Sequence, residues 1–112
     1  MKKIEAIIRP EKLESVRSAL EEVGFPGLMI TEIEGHGKQK GITQQWRGKK
    51  YKVELLSKIK LEIVAHDNDV EKIIESIVKS AMTGKIGDGK IFVYPVEDAL
   101  RIRTKERGDK AI

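Results

Sequence analysis

The sequence predicts an α+β fold in which two helices cover one face of an antiparallel sheet, ordered strand, helix, strand, strand, helix, strand. Three observations carry this: strict apolar alternation at residues 3–9 and 58–66, an amphipathic run after each, and a β-rich stretch near the end that is stopped by proline.

Residues 3–9 place Ile4, Ala6 and Ile8 on one side and Lys3, Glu5 and Ile7 on the other, the period of a strand with one buried face. Pro10 ends it and can open a helix, Glu11 suits the positive helix end, and Leu13, Val16, Leu20 and Val23 recur at helical spacing as far as Gly24. After the turn Gly24-Phe25-Pro26-Gly27, the run Leu28 to Glu34 reads as a second strand. Lys58 to His66 alternates again, with Ile59, Leu61, Ile63 and Ala65 on one face. Asn68 and Glu71 have the spacing of a capping box ahead of Val70, Ile73, Ile74, Ile77 and Ala81, one helical face ending at Gly84. Ile91 to Val93 is the last strand, closed by Pro95, and Leu100 to Thr104 is expected to add a short extension.

This order is the ferredoxin-like βαββαβ arrangement with one irregularity. About twenty residues, Gly35 to Leu55, separate the second and third strands, where a hairpin connection ordinarily has two to five, and a connection that long inside a compact domain is usually functional. At 112 residues the chain is read as one domain, 1–112. It has no cysteine, which excludes disulfides and thiolate metal sites and fits a reducing cytoplasm. MKKIEAIIRP is too short in apolar length for a signal core or a span, so a soluble protein is expected. The 22 basic and 18 acidic residues are interspersed, leaving a net charge of +4 without a basic tract, and aromatics are only 4 %. A nucleic-acid partner is therefore not expected.

GKIGDGK, residues 84–90, has the GxxxxGK spacing of a phosphate loop, but Ile91 follows where Ser or Thr is required and the segment runs from helix to strand, the reverse of a P-loop. Gly87 and Gly89 nevertheless permit backbone N–H groups to approach an anion, and Lys90 adds a charge. By itself the segment reads as a plain helix-to-strand turn. A second cluster, Gly35-His36-Gly37-Lys38-Gln39-Lys40-Gly41, opens the long connection with two cations that would suit an anion, but by itself it reads as a flexible hinge. Arg101 and Arg103, two apart, would project to the same side of a strand, toward a polyphosphate or simply toward solvent.

RPEKLESVRSAL, QWRGKKYKVELLSK, TGKIGDGKIFV and EDALRIRT together resemble, collinearly and over essentially the whole chain, the PII nitrogen-regulatory signal proteins (GlnB/GlnK-like). Residues 83–93 and the Arg47-Gly48-x-x-Tyr51 arrangement are the most specific matches. The resemblance implies a non-enzymatic cytoplasmic homotrimer that binds ATP or ADP in clefts between subunits. Gly37, Lys38, Gly87, Gly89 and Lys90, with Arg101 and Arg103 from the adjacent subunit, would hold the phosphates, and Asp88 would be among the nucleotide-binding residues. Ile7, Gly35, Glu62 and Val64 would line the base and ribose pocket, and Gln39 would also touch the nucleotide. It further implies 2-oxoglutarate as effector, joined through Mg²⁺ with Gln39 as metal ligand, the backbone around Lys40 and Gly41 as donors, and Lys58 on a carboxylate. Such a shell would exist only with ATP present, so the two ligands would raise each other's affinity equally.

Residues 37–55 resemble the family's T-loop, which contacts targets such as ammonium transporters, its one link to a membrane, and nitrogen-metabolism enzymes. Trp46 and Arg47 are the expected partner-binding residues and Tyr51 a candidate modification site, although Lys49, Lys50 and Lys52 surround it with unusual positive charge. The chain departs from the family's commoner residues at Met29, Lys38, Ile42, Gln44, Trp46 and Ser57, and in the tail, 97–112, Lys105 stands where the family usually has glycine. Three alternatives stay open: a nucleotide sensor without a 2-oxoglutarate response, an RNA-recognition module, which lacks rings on residues 58–66, and a small ATPase or phosphatase, for which His36 is the nearest base.

Overall fold

The computed structural model describes the backbone of residues 1–46 and 49–112 and the side chains of residues 1–34 and 56–112. Four strands and two helices appear in the expected order: β1 (Lys2–Ile8), α1 (Leu13–Glu22), β2 (Met29–Trp46), β3 (Lys49–Ala65), α2 (Val70–Ala81) and β4 (Lys90–Pro95). The sheet order is β2-β3-β1-β4 and every pairing is antiparallel. Both helices lie on one face, as the ferredoxin-like reading requires.

The alternation of β1 becomes burial directly. Ile4, Ala6 and Ile8 are closed to solvent, and the register sets them beside Ile63, Leu61 and Ile59 of β3. Val16 and Leu20 of α1 and Val70, Ile73, Ile77 and Ala81 of α2 close over them, so a single apolar layer joins sheet to helices. Each fully buried Ile or Leu contributes roughly 1.5–3 kcal/mol relative to exposure, which is why the period-two and helical patterns are so regular in these segments.

Four expectations are corrected. Residues 35–46 and 49–55 are not an irregular loop: β2 and β3 continue as a paired ribbon, with a register irregularity between Gln39 and Gln44. The capping box at Asn68 does not form, because Asp67–Asp69 make a 3-10 turn and the residue capping α2 is Asp69, with no side-chain cap bond. α2 ends at Ala81 rather than running to Gly84. Leu100 to Thr104 is not a strand extension: Leu100 makes one bridge to Arg107 and the chain turns between them, closed by the Lys105 N–H donating to the Arg101 carbonyl at 2.7 Å. The argument that a strand would aim Arg101 and Arg103 to the same side therefore lapses.

Candidate functional site

The turn between α2 and β4 is held from inside by Asp88. One carboxylate oxygen accepts the backbone N–H groups of Thr83 and Gly84, both at 2.9 Å, and the other accepts the Thr83 hydroxyl at 2.5 Å and Arg9 Nε at 3.1 Å. The Thr83 hydroxyl accepts in turn from the Lys85 N–H at 3.1 Å, and Arg9 Nη2 donates to the Ile86 carbonyl at 2.8 Å. The Thr83 hydroxyl, its amide, the Gly84 amide and the Arg9 guanidinium together hold the Asp88 carboxyl far below the usual carboxylate range. The Asp88 side chain is thus committed to the loop's own hydrogen bonds.

With those bonds made, Gly87 and Gly89 adopt φ of 103° and 105°, in the region that favours glycine. Gly89 has a second reason to be glycine: it packs against the carbonyl of Ile7, where a Cβ would lie 1.7 Å from the oxygen. Gly87 faces Arg9, whose Nη2 would lie 3.2 Å from a Cβ there. Lys58 Nζ, from β3, donates to the Gly87 carbonyl at 2.6 Å. Two cations and a carboxylate thus brace the loop against β1 and β3.

The sheet face away from the helices joins this loop. Register puts Ile7 between Lys60 and Lys90, Glu5 between Glu62 and Phe92, and Lys3 between Val64 and Tyr94, with Met29 beside Glu62. Ile7, Glu62, Val64, Lys58 and Lys90 therefore share one face next to Gly87 and Gly89. Opposite charges alternate across it: Lys3 lies 3.5 Å from Glu62, and Lys60 lies 3.8 Å from Glu5 and 3.6 Å from Glu62. Phe92 and Tyr94 are exposed there, but Tyr94 donates to Glu5 at 2.7 Å and Lys3 sits over its ring, so carboxylates border the only two described rings of this face. That border disfavours a base-stacking platform for an anionic polymer.

On the helix side, a hollow of about 410 Å³ runs from Ile74, Ile77 and Met82 to Gly89. Its lining is mostly hydrocarbon, with Asp88 and Lys90 at the end where it meets the loop. A second hollow, about 390 Å³, is lined by Pro10, Glu32, Ile33, Glu34, Ser57 and Lys58.

Other expected residues lie apart or outside the described side chains. Gly35 pairs with Leu56, Gly37 with Glu54, Lys38 with Val53 and Gln39 with Lys52, which sets them on the ribbon; Lys40 and Gly41 fall in its irregular part, Tyr51 faces Gln44 and Trp46 faces Lys49. The side chains of these ribbon residues, and Arg47 and Gly48 altogether, lie outside the described residues. Arg101 Nη1 bonds Glu106 at 3.1 Å, and Arg103 is exposed. Among the described residues no hydrogen bond joins either arginine to the 84–90 loop. His66 lies 3.5 Å from Asp109 of the tail, away from that loop. Sequence reasoning alone does not reveal Arg9 or Thr83; the one local signal at Arg9 is the proline after it, which holds it in an extended conformation (φ −65°, ψ 139°).

A protein-family model described as "Nitrogen regulatory protein P-II" matches residues 1–106. Nitrogen regulatory protein P-II 2 of Methanothermobacter thermautotrophicus is 56 % identical over 112 residues, all of this chain and 97 % of that protein. Nitrogen regulatory protein P-II 1 of Escherichia coli K12 is 54 % identical over 112 residues, covering both chains fully. The crystal structure of Arabidopsis thaliana PII bound to citrate superposes with a TM-score of 0.81 at 40 % identity, covering 99 % of this chain and 91 % of that one. With a family match over residues 1–106 and more than half of its residues identical to those of full-length relatives, the chain belongs to the nitrogen regulatory protein P-II family.

Proposed function

We propose that the protein is a nucleotide-sensing regulator of nitrogen metabolism that binds ATP or ADP, takes 2-oxoglutarate as a second effector, and acts on target proteins without catalysing a reaction. One observation carries this reading: the 84–90 loop, strapped by Asp88 and Arg9, holds two positive-φ glycines beside Lys58 and Lys90 at the edge of a face bearing Ile7, Glu62 and Val64. Backbone N–H groups at positive-φ turns suit phosphate oxygens, and the two lysines supply charge. Gly37 and Lys38 would close over the phosphates from the ribbon, and Arg101 and Arg103 would reach in from an adjacent subunit of a homotrimer. Within one chain Arg101 pairs with Glu106 and Arg107 with Asp98.

Among the described residues no group of three or more His, Asp or Glu side chains could hold a metal, so a dedicated protein cage is not what these residues form. Gln39 would supply an oxygen to a Mg²⁺ carried by the phosphates, which would add positive charge there, and Lys58 with the backbone near Lys40 and Gly41 would face the carboxylates of a keto acid. The citrate carried by the Arabidopsis relative is a carboxylate too, which favours an effector of that class. Residues 37–55, including Trp46, Arg47 and Tyr51, would present this state to ammonium transporters or nitrogen-metabolism enzymes in the cytoplasm. No helix among the described residues is long and apolar enough to cross a membrane, so membrane contact would come through the transporter.

Titration calorimetry with ATP and Mg²⁺, with and without 2-oxoglutarate, tests the proposal. Binding of both, each tightening the other, is expected. Absence of ATP binding sinks the function, and ATP binding that ignores 2-oxoglutarate leaves a nucleotide sensor alone.

A further inference from the structure

The structure assigns Arg9 a role that rests on the nucleotide reading above: it is a positioning residue that, through Asp88 and Thr83, sets the 84–90 loop in its phosphate-receiving shape. The geometry is reciprocal. Arg9 spends two N–H groups on the loop, Nε on Asp88 and Nη2 on the Ile86 carbonyl, so it fixes both ends of the Ile86 to Asp88 stretch at once. Pro10 holds the Arg9 backbone extended, and β1 pairing anchors the residues before it, so the guanidinium projects from a rigid base. Asp88 passes the constraint to Thr83 and Gly84, where the chain leaves α2. With those contacts in place the Gly87 and Gly89 amides are oriented before an anion arrives, so that binding need not order them.

Lysine cannot substitute here. It keeps the charge but lacks the planar fork that reaches Asp88 and Ile86 together, so a merely electrostatic role would survive Arg9→Lys and a positioning role would not. Thr83 gives a matching test, since serine keeps the hydroxyl that Asp88 accepts and valine keeps the shape without it.

The experiment is calorimetric ATP binding, in Mg²⁺, to the full chain and to Arg9→Lys, Thr83→Val and Thr83→Ser, with thermal melts of each. Arg9→Lys and Thr83→Val are expected to weaken ATP by roughly tenfold, the scale of one or two lost charge-assisted hydrogen bonds, while Thr83→Ser stays within about twofold. Arg9→Lys within twofold of the parent overturns the inference and leaves the nucleotide reading standing. If that variant fails to fold, equal affinities of Thr83→Val and Thr83→Ser overturn it instead. A parent chain that binds no ATP sinks the nucleotide reading itself.

Discussion

The carbonyl oxygen of Ile7 and the α-carbon of Gly89 are so close that a methyl group on residue 89 would lie 1.7 Å from the oxygen. The contact is backbone to side chain, so no rotamer change relieves it. Gly89→Ala, with its φ of 105° as well, is expected to cost about 2–4 kcal/mol and to lower the melting temperature by about 10 °C or more. Gly27→Ala, where nothing lies within 4 Å, is the control and should shift stability by less than about 0.5 kcal/mol. Equal melting temperatures for the two variants would refute the packing argument.

Lys105 has a φ of 62°, the one described non-glycine residue in the left-handed region. It closes the turn between Arg101 and Glu106, at the position where the family usually has glycine. Lys105→Gly removes the Cβ strain but loosens the unfolded chain, leaving a net gain of about 0.5–1 kcal/mol. A rise in the urea midpoint checks this; an unchanged or lower midpoint contradicts it.

Ile73 is fully buried between α2 and the sheet, whereas Val78 on the same helix is 43 % exposed. Ile73→Ala is expected to destabilise by about 2–5 kcal/mol through lost transfer energy and an unfilled cavity, and Val78→Ala by under about 1 kcal/mol. Chemical denaturation of both variants measures the contrast.

Asp88 makes stability fall in acid. Its folded carboxyl lies well below the ordinary value of 3.8, so its contribution is fully present above that value and is lost as pH falls toward the lower, folded one. Denaturation midpoints of the parent should therefore drop steadily below about pH 4, and those of Asp88→Asn, which has no carboxyl to protonate there, should drop less steeply. Parallel slopes would show that Asp88 is not the group responsible.

What could be read in advance follows from where burial is one-sided. β1, residues 58–65 of β3 and both helices each press one face on the shared core, so their apolar periods are enforced. The ribbon of residues 35–46 and 49–55 pairs mainly with itself, and Gly, Gln and Lys can alternate there without a period, so its sequence reads as an open connection. Asn68 had capping spacing, but a 3-10 turn came first. Gly87 and Gly89 were legible as special because glycine pairs are rare outside turns that need them. Arg9 was not, because a lone arginine at a strand end looks like a solvated cation until its partner is known.

That partner is 79 residues away in the chain, and Lys58 meets Gly87 across 29. Loops of this length close late, after local helices and neighbouring strands have formed. During synthesis, β1, α1, β2 and β3 can begin to pair while the 84–90 loop is still being made. The strapped loop is thus among the last parts of the molecule to exist, and a chain released before residue 90 would contain much of the core yet lack it.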